Sequence, residues 1–326
     1  MKKITTLLML LITTVLFAQE EAKKKKFDFS GSVDAFYSAN LNAPNDDNYI
    51  SPGTSFADAP GFSLGMANLI ASYDGKKVGF VADLVFGPRG EAASATVLNQ
   101  IYAYLKLSQS VKITMGKFNT FLGYEVIAPA VNFNYSTSYL FSNGPFSHTG
   151  IKVDFTFSDD ISLMLGLMNQ TDVTEFNPDG SYAIGAQLGI SGQFLNLLYD
   201  KAGLGFEIDY TGGVDISDSF FLGLNGAYAS NDGNGFYGVA VYPQIATSND
   251  FSIGLRGEYF NWLNDGVSVD EPHVFAVTLT GSYTVEDLII KPELRLDSHS
   301  DDVYWNTDLM PTSSLASFTL AAIYTF

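Results

Sequence analysis

Residues 288–297 read LIIKPELRLD, and this short stretch decides the fold. Every second residue is apolar, and the residues between them carry charge at Lys291, Glu293, Arg295 and Asp297. A period of two is typical of a β-strand whose two faces meet different surroundings. Four charges on one face would lose much of their hydration in a packed core, so we expect that face to meet water. The apolar face then meets lipid, and the stretch predicts a transmembrane β-barrel.

The same alternation recurs along the rest of the chain. In the first predicted strand the apolar face carries Phe27, Phe29, Val33, Ala35, Tyr37 and Leu41. The polar face carries Asp28, Ser30, Ser32, Asp34, Ser38 and Asn40, and Phe36 is the exception. Further alternating strands begin near Val78, Ile101, Val111 and Ile151. We therefore predict an all-β, antiparallel, up-and-down barrel.

The connections between the strands alternate between short turns and longer polar loops. Seven short turns and eight long loops join sixteen strands, which places both ends of the barrel chain on the side of the short turns. This arrangement is typical of bacterial outer-membrane barrels, and sixteen strands enclose a water-filled channel. The patterns at residues 61–73 and 194–199 are the weakest, so a barrel of fourteen strands is the alternative.

The first eighteen residues have the features of a secretory signal peptide. Lys2 and Lys3 precede an apolar run that ends at Ala18, and the run is shorter than the roughly 20 residues of a membrane-spanning helix. We predict cleavage after Ala18, with residues 19–326 forming a single barrel domain.

Composition excludes several other classes of protein. The chain has no cysteine, which argues against a small disulfide-bonded secreted domain. Its formal net charge is −18, which makes nucleic acid an implausible partner. Acid in the external loops predicts a weak preference for cations, limited by basic residues in the lumen.

Three sequence features suggest enzymes or metal sites but lack the required context. Residues 61–65 (GFSLG) match a nucleophile elbow, which needs a strand, a turn and a helix. Residues 233–238 (GNGFYG) match a dinucleotide fingerprint, which needs a following helix. His148, His273 and His299 lack metal-ligand spacing. We therefore predict no catalysis, no cofactor and no metal site.

The last residues of the chain also alternate. Apolar residues occupy every second position at Ala316, Phe318, Leu320, Ala322, Tyr324 and Phe326. A barrel strand that ends on Phe resembles the C-terminal signal that outer-membrane proteins present to the barrel assembly machinery. We expect that machinery and outer-membrane lipid to be partners of the protein.

Residues 118–148, FNTFLGYEVIAPAVNFNYSTSYLFSNGPFSH, interrupt the regular pattern. The segment reads neither as a helix nor as an alternating strand, and interior segments of this length are usually functional. Counting from the N-terminus, it is the third external loop. We expect it to fold into the lumen, since so aromatic a loop needs a wall to bury against. The alternative is that it packs over the mouth of the barrel.

Several motifs resemble one known family. These are GSVDAFY at 31–37, GKFNT at 116–120 with GYE at 123–125, NYSTS at 134–138 and HTG at 148–150. They resemble the OmpL-like family of β-barrel porins, most specifically between Met115 and Gly150. The resemblance implies an outer-membrane, porin-like protein and a third loop similar to the constriction loop of sixteen-stranded porins. The residues expected at the narrowing are Lys117, Tyr124, Glu125, Asn132, Asn134 and Tyr135.

The main hypothesis for function is a channel for passive diffusion of small hydrophilic solutes or ions. Its predicted lining consists of Asp34, Asp83, Lys106, Lys152, Asp154, Glu207, Asp209, Arg256, Glu258, Lys291, Glu293, Arg295 and Asp297. A non-conducting barrel with a structural or partner-binding role is the alternative, and a barrel enzyme is a third reading. The transported solute, gating and the oligomeric state stay open, with a homo-oligomer as one option.

Overall fold

The computed structural model of the chain describes residues 27–46, 54, 56, 60–94, 96–177, 180–264 and 271–326. The predicted signal peptide at residues 1–18 lies outside these ranges, and its cleavage stays a prediction. No helix in the described ranges is both long and apolar enough to cross a membrane.

Sixteen antiparallel strands form a closed barrel. They are β1 (Phe27–Asn40), β2 (Gly61–Asp74), β3 (Val78–Phe86), β4 (Leu98–Lys106), β5 (Val111–Asn119), β6 (Ser147–Thr156), β7 (Ile161–Met168), β8 (Ala183–Ile190), β9 (Gln193–Asp200), β10 (Gly205–Ser217), β11 (Phe220–Asn231), β12 (Asn234–Ala246), β13 (Phe251–Leu263), β14 (His273–Val285), β15 (Leu288–His299) and β18 (Ser314–Thr325). The two weakest predictions, β2 and β9, are both strands, so sixteen is confirmed and fourteen was wrong.

The barrel closes where the first strand pairs with the last. Ala35 lies opposite Ala322 in an antiparallel register between β1 and β18. Phe326, one residue past the end of β18, accepts at its carbonyl from the amide of Gly31 at 3.0 Å and donates from its amide to the carbonyl of Gly31 at 3.1 Å. The sheet therefore has no free edge, and each barrel strand has two paired neighbours.

The predicted alternation of faces is confirmed. Leu294 and Leu296 of β15 point outward and are exposed, whereas the charged residues that alternate with the apolar ones point inward. Aromatic pairs lie on the outer face near both ends of the barrel. Tyr37 and Phe62 are near the long loops, with ring centroids 5.0 Å apart. Phe27 and Tyr73 are near the short turns, 5.3 Å apart. Aromatic belts that flank an aliphatic band are typical of barrels in a bilayer.

Four external loops matter for the interior, and they are named here by their ranges. L2 (87–97) contains the short helix α1 (Pro88–Ser94), L3 spans 120–146, and L4 spans 169–182. L8 (300–313) contains a separate hairpin of β16 (Tyr304–Trp305) and β17 (Pro311–Thr312). The interior segment is shorter than predicted, because Phe118 and Asn119 end β5 while Ser147 and His148 begin β6.

L3 also contains a helix that the sequence pattern did not predict. Helix α2 (Tyr139–Asn143) is a little over one turn long, and the Ser138 hydroxyl caps it by accepting a hydrogen bond from the amide of Phe141 at 3.0 Å. A helix this short has little stability of its own, so contacts with the barrel wall must hold it.

Candidate functional site

The first part of L3 runs around the inner wall from β8 to β13. Gln187 of β8 donates to the carbonyl of Phe121 at 3.0 Å, and the amide of Gly123 donates to Asp209 of β10 at 3.0 Å. The next residue, Tyr124, stacks on Tyr242 of β12 with ring centroids 4.3 Å apart. L3 therefore lies inside the barrel at these positions and does not merely cover its mouth.

Glu125 then meets the wall in a buried ion pair. Arg256 Nη1 of β13 lies 2.7 Å from Glu125 Oε1, and both side chains are almost fully buried. The other carboxylate oxygen, Oε2, accepts hydrogen bonds from the amide and hydroxyl of Ser138, each at 2.7 Å. The pair thus joins two distant parts of L3 to one strand.

The second part of L3 lies along β13, β14 and β15, and acidic wall residues bind its backbone amides. Glu293 accepts from the amides of Tyr135 and Ser136 at 2.8 and 3.0 Å. Glu258 accepts from the amides of Tyr139 and Leu140 at 2.9 and 2.8 Å. The two Glu258 bonds satisfy amides in the first turn of helix α2, which would otherwise lack partners.

Basic wall residues bind the carbonyl groups of the same segment. Lys291 donates to the carbonyls of Pro129, at 2.9 Å, and Asn132. Arg295 donates to the carbonyl of Thr137 at 2.7 Å and also pairs with Asp297. Arg256 reaches the carbonyl of Ser136 at 2.6 Å. Side chains of the barrel wall therefore hold L3 through the N–H and C=O groups of the loop's main chain.

These contacts correct one expectation about the four charges of β15. Lys291, Glu293, Arg295 and Asp297 do face the lumen, but their exposures are 2%, 2%, 4% and 0%. They do not rely on lumenal water, because hydrogen bonds to L3 and to one another replace their hydration. The sequence pattern correctly predicts that these four charges face the lumen, but it does not show that L3 covers them.

Tyr135 connects L3 to the first strand and to L2. Its hydroxyl donates to Asp34 of β1 at 2.5 Å, and its carbonyl accepts from Arg89 of helix α1 at 2.9 Å. The Arg89 guanidinium also lies 4.7 Å from the Tyr135 ring centroid. Burial raises the pKa of Tyr135 well above its usual range, so the phenol is neutral and acts as a donor.

The remaining residues predicted for the narrowing occupy different positions. Lys117 is only 2% exposed, lies beneath L2 and donates to the carbonyl of Leu98 at 2.9 Å. Asn132 folds back on L3 and bonds both backbone groups of Val126, while Asn134 donates to Thr280 of β14 at 2.7 Å. Tyr124 is half-buried, and burial raises its pKa to about 12.

Two chambers flank L3 inside the barrel. We call the first the Tyr124 chamber; its volume is about 360 Å³. It is lined by Tyr124, Glu125, Ala130, Val131, Asn132, Phe133, Asn134, Phe221, Tyr242, Gln244, Ser282, Ile289 and Lys291. We call the second the Lys152 chamber; its volume is about 380 Å³. It is lined by Ala93, Asn99, Asn119, Thr120, Phe121, Leu122, Gly123, Glu125, Val126, Ile127, Phe141, Phe146, Lys152, Gln187, Phe194 and Thr211.

The residues predicted to line the pore divide into two groups by exposure. Lys106, Lys152 and Asp154 keep partly exposed side chains on the wall formed by β4 to β6. The others are buried: Asp34, Asp83, Glu207, Asp209, Arg256, Glu258, Lys291, Glu293, Arg295 and Asp297. Asp83, for example, accepts hydrogen bonds from Asn68, Asn99 and Gln100. Most of the predicted lining charges are therefore buried and hold the interior of the barrel together, instead of facing open space in the lumen.

Some residues that hold the site were not singled out in the sequence. Arg89 lies in what reads as an ordinary external loop, and Tyr242 reads as a strand tyrosine. Asp172 of L4 accepts from the amides of Phe146 and Ser147, at 3.0 and 2.7 Å, and so fixes the end of L3. No local pattern marks these positions, because each acts on a segment far away in the chain.

A family model settles the relationship that this architecture suggests. The model described as "Putative beta-barrel porin-2, OmpL-like" matches residues 26–326, which is nearly the whole chain. The chain belongs to this family. Members of this porin family are outer-membrane β-barrels, and the protein is therefore located in the outer membrane. As in bacterial barrels generally, we expect its short turns in the periplasm and its long loops outside.

Solved outer-membrane proteins share the fold at low sequence identity. The channel DcaP of Acinetobacter baumannii aligns with a TM-score of 0.62 and 13% identity, covering 92% of this chain and 97% of its own. OprB of Pseudomonas putida gives 0.59 and 12%, covering 93% and 94%. OmpT of Vibrio cholerae in a trimer form gives 0.58 and 12%, covering 92% and 99%. No curated protein matches the sequence. At these identities the likeness concerns the fold alone.

Proposed function

We propose that the protein is a non-enzymatic porin through which small hydrophilic solutes or ions diffuse passively. The observation that carries the proposal is the arrangement of L3 inside a closed sixteen-stranded barrel, with a chamber on either side of the loop. A barrel of this strand number is wide enough for water, and an inward loop narrows it to molecular dimensions.

In the proposed channel, the buried charges of the barrel wall fix the position of L3. They hold L3 at a fixed distance from β13, β14 and β15, which sets the width of the passage. We place the narrowing at Glu125, which lines both chambers, and at its neighbour Tyr124, which lines one of them. Lys106, Lys152 and Asp154 are the lining residues that meet solutes, since they are more exposed than the other predicted lining charges.

Planar-bilayer conductance of the purified protein tests this function. We expect stable single-channel steps, with larger steps when the fastening of L3 is weakened by Glu258→Gln. A matched control is Glu286→Gln, in the exposed periplasmic turn between β14 and β15, which should leave the step size unchanged. A folded barrel that gives no steps would overturn the proposal.

A second candidate is a non-conducting barrel with a structural or partner-binding role. The dense fastening of L3 favours it, because ten lumenal charges are buried where a wide channel would expose them. Under this reading both the wild type and Glu258→Gln are electrically silent, while the barrel still resists denaturation in detergent.

The oligomeric state is part of the proposal. The trimer form of the similarly folded OmpT supports a homo-oligomer. Mass measurement of the protein in detergent, corrected for bound detergent, distinguishes a monomer from a larger assembly.

A further inference from the structure

The Lys152 chamber differs from the Tyr124 chamber in the charge that it leaves available. Within the described part of the chain, the charged residues that line it are Glu125 and Lys152. Glu125 is fully engaged, since Arg256 and Ser138 occupy its two oxygens. Lys152 therefore supplies the charge that a molecule in this chamber meets.

The partners of Lys152 do not neutralise it fully. Its Nζ lies 3.4 Å from Asp154 Oδ1, and Lys112 Nζ lies 3.3 Å from the other oxygen of the same carboxylate. Two lysines therefore share one aspartate, and the group retains a net positive charge. The Lys152 amine also lies 5.3 Å from the ring centroid of Phe118, a further weak contact for a cation.

The space for a ligand is the chamber itself, of about 380 Å³, because side chains cover the two glycines beside Lys152. Gly166 of β7 lies directly opposite Lys152 in the sheet, and Gly185 of β8 lies opposite Gly166. The Met168 side chain lies over Gly166, where an added Cβ would come within 3.3 Å of it. The Phe121 ring of L3 lies over Gly185, where an added Cβ would come within 2.5 Å of it.

The rest of the chamber combines an apolar wall with an unused acceptor. Its larger apolar side chains are Phe121, Leu122, Val126, Ile127, Phe141, Phe146 and Phe194. Asn119 also lines the chamber, and its buried Oδ1 accepts no hydrogen bond from the described residues. A cation beside an apolar wall is complementary to a small molecule that carries one anionic group on an apolar body.

We propose that the Lys152 chamber is a binding site for small amphiphilic monoanions, such as aromatic carboxylates. The Lys152 amine binds the carboxylate, the apolar wall packs against the ring, and Asn119 Oδ1 accepts from a ring hydroxyl or amine when one is present. The proposal extends the proposed function, because it names a solute class for the channel.

Isothermal titration calorimetry of the folded barrel in detergent, with benzoate as the probe, tests the site. We expect Lys152→Gln to weaken benzoate binding roughly tenfold, since hydrogen bonds to charged groups contribute on the order of that factor. Asp154→Asn should strengthen it, because the variant releases Lys152 from its competing carboxylate. A structural disturbance would weaken binding in both variants, so opposite effects identify the charge of Lys152 as the cause.

The controls separate charge from shape. Benzyl alcohol, which has the ring without the charge, should bind equally to the wild type and to both variants. Acetate, which has the charge without the ring, should bind more weakly than benzoate. Lys201→Gln, in the exposed external loop after β9, should leave benzoate binding unchanged.

Two results would overturn the site: no benzoate binding by the wild type, or equal benzoate binding by the wild type and both Lys152 and Asp154 variants. Calorimetry does not depend on conductance, so the site and the channel are tested separately. Charge-dependent binding by an electrically silent barrel supports the site and contradicts the channel. A conducting barrel without that binding supports the channel and contradicts the site.

Discussion

Arg256 and Glu125 lie 131 positions apart in the chain and form a buried ion pair with a separation of 2.7 Å between Nη1 and Oε1. Arg256 belongs to the barrel wall and Glu125 to the loop inside it. The Arg256 guanidinium also donates to the carbonyl of Ser136 and the hydroxyl of Thr278. One side chain thus connects two parts of L3 with two neighbouring strands.

Removing Arg256 alone should destabilise the barrel strongly. Arg256→Met leaves Glu125 buried without its cation, and breaking a buried pair in this way costs about 3 to 5 kcal/mol. The double variant Arg256→Met with Glu125→Gln removes both charges and should recover part of that loss. The measurement is the free energy of unfolding from urea titration in detergent. If the double variant were less stable than Arg256→Met alone, the ion pair would not be what couples these residues.

A charge on the lipid face of β15 should be costly. Leu294 points outward and is exposed to the bilayer, so Leu294→Arg should cost about 2 to 4 kcal/mol if the residue lies near the midplane. Gln244→Arg is a suitable control, because Gln244 faces the Tyr124 chamber and water reaches it. Equal losses in the two variants would contradict the assignment of faces.

Glu293→Gln, by contrast, is not the mild change that its lumenal position suggests. The carboxylate accepts hydrogen bonds from the amides of Tyr135 and Ser136 and from the hydroxyl of Thr280. An amide has only one oxygen to accept them, so we expect a loss of about 1.5 to 3 kcal/mol. Protease sensitivity of L3 in the folded barrel should rise in the same variant, whereas an unchanged cleavage rate would show that Glu293 does not fix the loop.

The end of the chain should matter for assembly rather than for transport. Tyr324 lies opposite Val33 in the closing pair of strands, and Phe326 exchanges backbone hydrogen bonds with Gly31. Replacing Tyr324 and Phe326 together by Ala should lower the amount of heat-modifiable barrel in the outer membrane. Barrels that do assemble should keep wild-type conductance. Normal barrel levels in the double variant would count against a role in assembly.

The preference for cations over anions should be weak and should depend on salt. Acidic external loops concentrate cations within a Debye length, about 10 Å at 0.1 M salt, while Lys152 and its neighbours oppose them inside. Reversal potentials across a potassium chloride gradient should show a small cation bias that shrinks as the salt concentration rises. Lys152→Gln should increase this bias, and a strong anion bias in the wild type would contradict the prediction.

The barrel could be predicted from the sequence because its determinants are local. Alternation in stretches such as 288–297 marks each strand, and the order of short and long connections determines the strand number. The inward position of L3 followed from its length and aromatic content. The hydrogen bonds that hold L3 against the wall could not be predicted in this way, because Glu293 and Lys291 bind main-chain groups, which are the same whatever the side chain. The burial of Lys117 could not be predicted for a related reason, because helix α1, whose Ser94 carbonyl accepts from the Lys117 amine at 3.5 Å, has no strong sequence signal.

The barrel wall holds L3 through the N–H and C=O groups of the loop's main chain, so side chains of the loop can change without removing those hydrogen bonds. Backbone amides and carbonyls between Pro129 and Leu140 remain in place whatever side chains the loop carries. Val131, which is 73% exposed and lines the Tyr124 chamber, can therefore vary without removing these hydrogen bonds. Under the proposed function, substitutions at such positions would change the solute preference while the hydrogen bonds to the main chain of L3 stay in place. A conducting barrel held together in this way would be a practical scaffold for engineered nanopores, with new chemistry introduced at the chamber-lining positions of L3.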